Sequence, residues 1–493
     1  MDDGTLLAAL DLGSNSFRLE IGRLDHGRVL RTEYLKETVR QGGGLSPDGS
    51  LTLEAMQRGW DCLARFGERL AGFAPRQVRA VATQTLREAR NREEFLVRGA
   101  EVLGFPIDVI SGPEEARLIY AGAARLLPPS NERRLVVDVG GRSTEMVLGQ
   151  GLEARVLASC PIGSVASSLT HFPEGRYTAS AFAAAQAAAE AALEEEAARF
   201  PRSGWDVAYG ASGTVGAIGD ILAALGEPPG LITRAALHAL RERLLQARQV
   251  DQVRLAGLKE DRRPVIGGGI SVLCAVFAQL GIERLQVAQG ALRQGVLYDL
   301  LQREAPATDI RTATVQALAR RFGVDAEQAG RVDRTARELF AQLCPGAPED
   351  TLRTLHWAAQ LHEIGNSIAH GEHPRHGAYI LEHADAPGFG EQELRQLARL
   401  VLGQRGKLRK LPLVLEDAGF ALQLACLRLA VLLCHARRDP APPLPRLERE
   451  AAAFCVTLPA RWVERYPQSA HLLREEVEAW RKTPWAMGIA YGA

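Results

Sequence analysis

The chain has 493 residues, 59 basic and 59 acidic side chains, a formal net charge of zero and 46% hydrophobic residues. At roughly 100–200 residues per domain this predicts two to four domains, each able to bury its own core. Balanced charge excludes a global field that recruits a polyanion, so any such attraction must be local.

In chain order, the N-terminus MDDGTLLAAL is acidic and lacks the basic segment of a signal peptide. An apolar strand follows, ending in Asp11, Gly13, Ser14, Asn15 and Ser16, and a second strand places Phe17, Leu19 and Ile21 on one face. LTLEAMQRGWDCLARFGERL has helical spacing, VRAVAT reads as a strand, a helix is predicted near 92–103, PIDVI reads as a strand and PEEARLIYAGAARLL as a helix. LPPSNERR marks a boundary. The next half opens with a strand at Leu135 to Val139 and continues with an Ala-rich helix near 178–200 and the strands WDVAYGASGT and LQVAQGAL. From about 305 the pattern is almost wholly helical, and after the Pro-rich DPAPPLPRLERE the stretch AAFCVTLP reads as a strand. The predicted fold class is α/β followed by a helical domain and a small C-terminal α+β segment, with domains at 1–125, 126–304, 305–440 and 441–493.

Seven cysteines, Cys62, Cys160, Cys274, Cys344, Cys426, Cys434 and Cys455, sit mostly in apolar runs without paired metal spacing, which predicts reduced core residues. The most apolar long stretch, FALQLACLRLAVLLCHARR, is interrupted by Gln423 and Arg428 and predicts a core helix rather than a membrane span. A soluble cytoplasmic protein is expected, with no integral membrane segment and no nucleic-acid partner.

VVDVGGRSTEMVLG repeats the N-terminal pattern of strand, Asp, Gly, hydroxyl and strand. A carboxylate at the end of an enclosed strand is costly without a partner, so Asp138 is predicted to have one. Gly140 and Gly141 clear space for backbone N–H groups to face an anion, and Ser143 and Thr144 add hydroxyl donors. Two copies suggest related halves facing each other across a cleft.

With ATQTLREA, VISGPEEARLIYAG, YGASGT, GALRQGVLYDL and LHEIGNSIAH…RHGAYILEHADAPGFG, these motifs resemble the exopolyphosphatase and guanosine pentaphosphate phosphohydrolase family, in the fold group of acetate kinase, sugar kinases, chaperone ATPases and actin. The resemblance covers nearly the whole chain. It implies two actin-like, ribonuclease H-like domains around a phosphate cleft, a helical domain related to HD phosphohydrolases, a homodimer, and hydrolysis of a phosphoanhydride. It assigns the catalytic role to Glu115, the second glutamate of SGPEEARLI, although Pro113, Glu114 and Glu115 are also an ordinary helix start. Such hydrolysis needs an in-line water with a residue to orient it, and neutralisation of the transferred group. Ser14, Asn15, Ser16, Gly140, Gly141, Ser143 and Thr144 are candidate phosphate donors, and Arg87 matches a family position at the cleft, as a bidentate clamp. Asp138, with Asp11 and Glu145, is a candidate holder of Mg²⁺. A monovalent cation such as K⁺ is a second candidate cofactor.

The chain departs from the family pattern at Arg142, where a third glycine is usual, and at Gln289 and Gln294, where acids are common. His356, His362, His370, His373, His376 and His383 crowd the helical domain, yet His362-Glu363 replaces the His-Asp pair an HD metal centre needs. Arg375, His376, Arg405, Lys407, Arg409 and Lys410 form a candidate basic path, or alternatively a solvated face. On that path rests the expected function, processive release of terminal phosphates from inorganic polyphosphate. The alternative is removal of the 5′ γ-phosphate of guanosine pentaphosphate, and a non-enzymatic polyphosphate or nucleotide sensor is a third class.

Overall fold

The computed structural model describes every residue except 306, 348, 409, 410, 412, 413, 492 and 493, and all but the side chain of Asp350. It divides into two compact units, Met1–Asp309 and Ile310–Ala493.

The first unit holds two sheets built on one plan. Strands β1 (Leu6–Leu12), β2 (Phe17–Asp25) and β3 (Arg28–Glu37) form an antiparallel meander, and β4 (Val78–Ala82) and β5 (Ile107–Val109) extend it in parallel, giving the order β3-β2-β1-β4-β5. The second sheet contains β6 (Arg133–Val139), β7 (Thr144–Gln150), β8 (Glu153–Cys160), β9 (Val207–Gly210), β10 (Leu231–Thr233) and β11 (Arg284–Val287). From its β8 edge it runs β8-β7-β6-β9-β11-β10, again an antiparallel meander extended in parallel by β9 and β11, with β10 antiparallel at the far edge. β1 and β6 are buried almost throughout, as their apolar runs require. Strand β3 was not visible in the sequence, because RVLRTEYLKE lies at an edge with mostly exposed side chains.

Helices α1 (Leu53–Arg69), α2 (Gln84–Glu88), α3 (Arg92–Leu103) and α4 (Gly112–Leu126) belong to the first half. Thr52 caps α1 by accepting from Ala55 N at 3.3 Å, and Trp60 stacks on Phe95 of α3, its indole N–H reaching Phe95 O at 3.1 Å. In the second half are α5 (Ser164–His171), α6 (Ala179–Ala197), α7 (Gly213–Ala224), α8 (Arg234–Ala247), α9 (Ile266–Leu280) and α10 (Leu292–Arg303). The three glycines opening α9 let it approach α5: a Cβ on Gly268 would lie 2.4 Å from Ser164 O, so GGG here is a helix contact. Among the described residues one helix, Arg263–Leu280, is long and apolar enough to cross a membrane, and 72% of it is buried inside the protein.

Helix α10 returns to pack on α4 and on β1. Their crossing has no room for side chains, since a Cβ on Gly295 would lie 1.8 Å from Leu118 O and one on Gly122 would lie 2.0 Å from Ala291 O. Beside the crossing Asp299 gathers Arg79 of β4, Arg117 of α4 at 2.5 Å and Arg303 at 2.7 Å. These guanidinium groups hold its carboxyl far below the ordinary range despite burial.

The second unit is helical, with helices Ile310–Arg321, Ala326–Leu343, Glu349–Leu361, His373–His383, Glu391–Gly403 and Ala418–Leu433 around one core. The C-terminal strands β12 (Arg446–Glu450), β13 (Ala453–Leu458) and β14 (Ala486–Tyr491) and the helix Pro467–Trp480 share that core through Phe454, Trp480 and Trp485. Arg428, which interrupts the apolar helix, is bidentate with buried Glu476 at 2.5 and 2.6 Å, and Gln423 donates to Thr351 O at 2.9 Å. All seven cysteines are free.

Gly295→Ala should force α10 from α4 and destabilise the fold by ~1–3 kcal/mol, read as a lower unfolding midpoint in heat or urea.

Candidate active site

The two hairpins place their acids by register. Asp11 is opposite Arg18 across β1 and β2, and Asp138 is opposite Glu145 across β6 and β7. Where the turns meet, a cavity of about 420 Å³ is lined by Asp11, the Gly13–Ser16 turn, Glu115, Asp138, Gly140, Gly141 and Ser143. The glycines serve close approach: a Cβ on Gly141 would lie 2.8 Å from Ser14 Cβ. Asn15 and Ser16 line the cavity, and Asn15 Nδ2 and Ser16 Oγ are buried with no hydrogen-bond partner among the described residues. Ser14 Oγ, in contrast, already accepts from Thr85 Oγ1 at 2.8 Å.

The two glutamates of α4 separate cleanly. Ser111 caps the helix, accepting from Glu114 N at 3.2 Å, so neither carboxylate is needed as the cap. Glu114 is fully buried and bound to Arg117 at 2.7 Å. Glu115 lines the cavity, and Arg87 Nη1 holds its Oε2 at 2.7 Å. Burial raises the Glu115 carboxyl above its ordinary value against the pull of Arg87, with Asp11 adding to the rise. A poised carboxylate with one oxygen pinned suits a residue that orients and deprotonates water.

Three expected phosphate or metal contacts lie elsewhere. Arg87 is not a cavity-lining residue: besides Glu115 its nitrogens bind Ile110 O at 2.8 Å and Gln84 Oε1 at 2.6 and 2.9 Å, which leaves it a holder of Glu115. Thr144 is also outside the lining and donates to Ile162 O at 2.6 Å, fixing the strand start. Glu145 lies behind the cavity and accepts from Ser159 Oγ at 2.9 Å. Burial, with Glu115 and Asp138 close by, raises it well above the ordinary carboxylate range.

Asp138 lines the cavity and, among the described residues, makes no side-chain hydrogen bond, contrary to the partner expected for it. Burial, then the nearby Glu115 and Asp11, push it up to about 7 against Arg18 and Arg293. Asp11 is engaged by Arg18 at 3.0 Å and by Arg293 at 3.5 Å. A buried acid facing open space beside other acids fits a divalent cation, with Asp138 the free ligand and Asp11 a shared one.

Sequence reasoning missed the cationic side of the cavity. Arg18, Lys36, Lys259, Arg262 and Arg293 all line it. Arg18 was legible in principle, since a tight turn over 13–16 pairs position 18 with Asp11; Arg262 sits in a charged loop with no pattern to mark it. Lys36 pairs with Asp261, Lys259 lies 3.9 Å from Asp220, and Arg293 binds Glu20 at 3.2 Å. Arg262, only 9% exposed, has no ion-pair partner among the described residues. Gln294 donates to both oxygens of Glu20 at 2.8 Å, where an acid would repel it.

The second unit assembles no histidine metal site: among the described residues the one group with three ligand atoms within 4.8 Å is the exposed Asp3, Asp25 and His26. His362 is bound to Ala359 O at 2.7 Å and Glu363 to Arg437 at 2.8 Å. Of the basic path, Arg375 is exposed and 3.5 Å from Glu372, His376 is half-buried, and Arg405 and Lys407 are exposed. Arg409 and Lys410 lie outside the described residues.

Residues 25–304 match the Ppx/GppA phosphatase family, and residues 310–477 match its domain III. The chain belongs to that family. It is 38% identical over 497 aligned positions to the guanosine-5′-triphosphate,3′-diphosphate pyrophosphatase of Aeromonas hydrophila, covering 98% of this chain and 99% of the relative. Among solved structures it is similar to the PPX-GPPA enzyme of Aquifex aeolicus, at 26% identity and TM-score 0.51 over 60% of this chain and 99% of that one. It also shares the fold of an exopolyphosphatase from Cytophaga hutchinsonii, at 23% identity and TM-score 0.55 over 61% and 98% of the two chains. The fold is therefore the actin-like pair of the Ppx/GppA proteins followed by the family's helical domain.

Glu115→Gln should keep the fold and substrate binding and lower kcat by ~10²- to 10⁴-fold in a phosphate-release assay, because the amide cannot accept a proton. Asp138 yields a stability test. Its folded value of about 7 lies above the ordinary 3.8, so folding favours the protonated form and stability falls as pH rises between those values. In chelator at pH 8, Asp138→Asn should therefore melt higher than wild type, a gain of a few kcal/mol that shrinks as the pH is lowered to 5.

Proposed function

We propose that the chain removes the terminal 5′-phosphate of guanosine pentaphosphate, rather than acting mainly on polyphosphate. The observation that carries this reading is the full-length similarity to a protein of that named activity, at 38% identity. The basic path that favoured polyphosphate has no such support: its described members are surface residues of Ile310–Ala493, and Arg375 has an acid beside it.

The cavity chemistry is compatible with this substrate. Carboxylates, turn hydroxyls and amides crowd one part of the lining, which suits a reacting phosphate and its cation. Arg262, Lys36 and Lys259 supply positive charge for a second phosphorylated group. Gly213, Gly216, Ala217 and Asp220 present one face of α7 to the same cavity, and Tyr34 also lines it. Small residues and a ring offer flat apolar surface to a base, and the Asp220 carboxylate can accept from a guanine N–H edge. Polyphosphate has no use for either feature.

In the reaction, Glu115 takes a proton as the water oxygen bonds to the γ-phosphorus. The bond to the β–γ bridging oxygen breaks, its electron pair leaving with the β-phosphate. Asn15 and Ser16 donate to the transferred group, and Arg87 keeps Glu115 aimed at the water. Asp138, with Asp11, is the proposed holder of Mg²⁺, which when bound neutralises phosphate charge.

The test is phosphate release from guanosine pentaphosphate, GTP and long-chain polyphosphate, side by side with Mg²⁺. The expected result is the highest kcat/KM on guanosine pentaphosphate, with guanosine tetraphosphate and inorganic phosphate formed in equal amounts. A kcat/KM ~10-fold higher on polyphosphate would restore the exopolyphosphatase reading, since a factor of ten corresponds to about 1.4 kcal/mol of transition-state discrimination.

A further inference from the structure

Arg142 follows Gly140 and Gly141 in the second phosphate loop, yet unlike them it does not line the cavity. Its Nε donates to Glu88 Oε2 at 2.8 Å, its Nη2 lies 2.7 Å from the same oxygen, and its Nη1 donates to Gly42 O at 3.3 Å. Both partners belong to the first half, Glu88 at the end of α2 and Gly42 after β3. The aliphatic part of Arg142 also packs there, with its Cδ 3.1 Å from where a Cβ on Gly42 would sit. A loop of the second half is thus tied to two points of the first.

The tie continues inward. Glu88 Oε1 accepts from Gln84 Nε2 at 2.7 Å, and an amide nitrogen facing a carboxylate turns its oxygen the other way. That oxygen receives Arg87 Nε at 2.9 Å and Nη2 at 2.6 Å, and Arg87 Nη1 in turn holds Glu115 Oε2 at 2.7 Å. Each residue in this chain binds the next, with Arg87 held also by Ile110 O at 2.8 Å, and the last is the proposed water-orienting carboxylate.

We propose that Arg142 is a positioning residue: by binding Glu88 it ties the second phosphate loop to the first half and, through Gln84 and Arg87, sets the orientation of Glu115. The inference rests on the role given above to Glu115. The Arg142–Glu88 pair is partly exposed, at 21% and 31%, so such a pair adds little to global stability. Its value is geometric, because the catalytic carboxylate is held correctly while the phosphate loop is closed. Without Arg142, Glu88 would lose its outer anchor and keep only the contact with Gln84.

The experiment is steady-state hydrolysis of guanosine pentaphosphate by Arg142→Ala, Glu88→Ala, the double variant and Arg142→Lys, with melting curves for each. The single alanine variants should lose ~10- to 100-fold in kcat, as small misplacements of a catalytic group do. KM should move much less, and the melting temperature should stay near wild type. The double variant should be no worse than the worse single, because both cut one chain, and Arg142→Lys should recover part of kcat. Additive losses, an effect on KM alone, or an unchanged kcat would overturn the proposal. Should Arg142→Ala fold poorly, Glu88→Gln, which keeps an acceptor for Gln84 but removes the ion pair, carries the same expectation with a smaller loss. Glu115→Gln run in parallel separates the two readings: full activity there removes the role of Glu115 itself, whereas loss there with an active Arg142→Ala removes only the relay.

Discussion

Packing several carboxylates into one buried cleft is the constraint on which the rest of the molecule depends. Asp11, Glu115, Asp138 and Glu145 come from four different elements, and all are at least nine-tenths buried. Like charges in a low-dielectric space cannot all remain ionised without compensation, so each has a different solution. Asp11 takes Arg18 and Arg293, Glu115 takes Arg87, and Glu145 is driven toward its neutral form and a serine hydroxyl. Of the three that line the cavity, Asp11, Glu115 and Asp138, only Asp138 has no side-chain hydrogen bond or ion pair among the described residues. On the reading proposed above, a cation held by Asp138 and Asp11 would supply the charge that this carboxylate lacks.

Holding that arrangement is the work of features that never touch substrate. Helix α4 carries Glu115, and its position is fixed by the crossing with α10, where Gly122 and Gly295 allow near backbone contact. The same helices are locked by Asp299 and its three arginines, one of them reaching from β4. This also explains why two adjacent glutamates on α4 have different fates. Glu114 faces the locking cluster and Glu115, one position on, faces the cleft.

Much of this was legible in the sequence, for physical reasons that can be named. Strand periodicity and the repeated Asp-Gly-hydroxyl turns revealed the two halves, because a buried acid before a small-residue turn is costly unless used. The role proposed for Glu115 came from resemblance, since Pro-Glu-Glu alone reads equally well as a helix start. Partner choice was not legible. Arg87, Thr144 and Glu145 have the right chemistry for phosphate or metal, but their orientation depends on what lies behind them: Gln84 and Glu115, Ile162 O, and Ser159. The cationic side was missed because Arg18, Lys36, Arg262 and Arg293 come from distant parts of the chain and meet only after folding.

Polyphosphate and guanosine pentaphosphate demand the same reacting end, a terminal phosphate, a cation and an oriented water, so the carboxylates cannot distinguish them. Discrimination falls to the remainder of the cavity and to how firmly the loops close. In this chain that remainder combines an unpaired buried arginine with a small-residue face of α7 and a tyrosine, features suited to a compact nucleotide bearing a second phosphorylated group. A long polyanion instead gains from a repeating row of cations leading away from the reacting end, each adding residence time. Arg142 ties the loop of the second half to Glu88 and Gly42 of the first, so the reacting end that both substrates share is held in place by a contact outside the cavity lining.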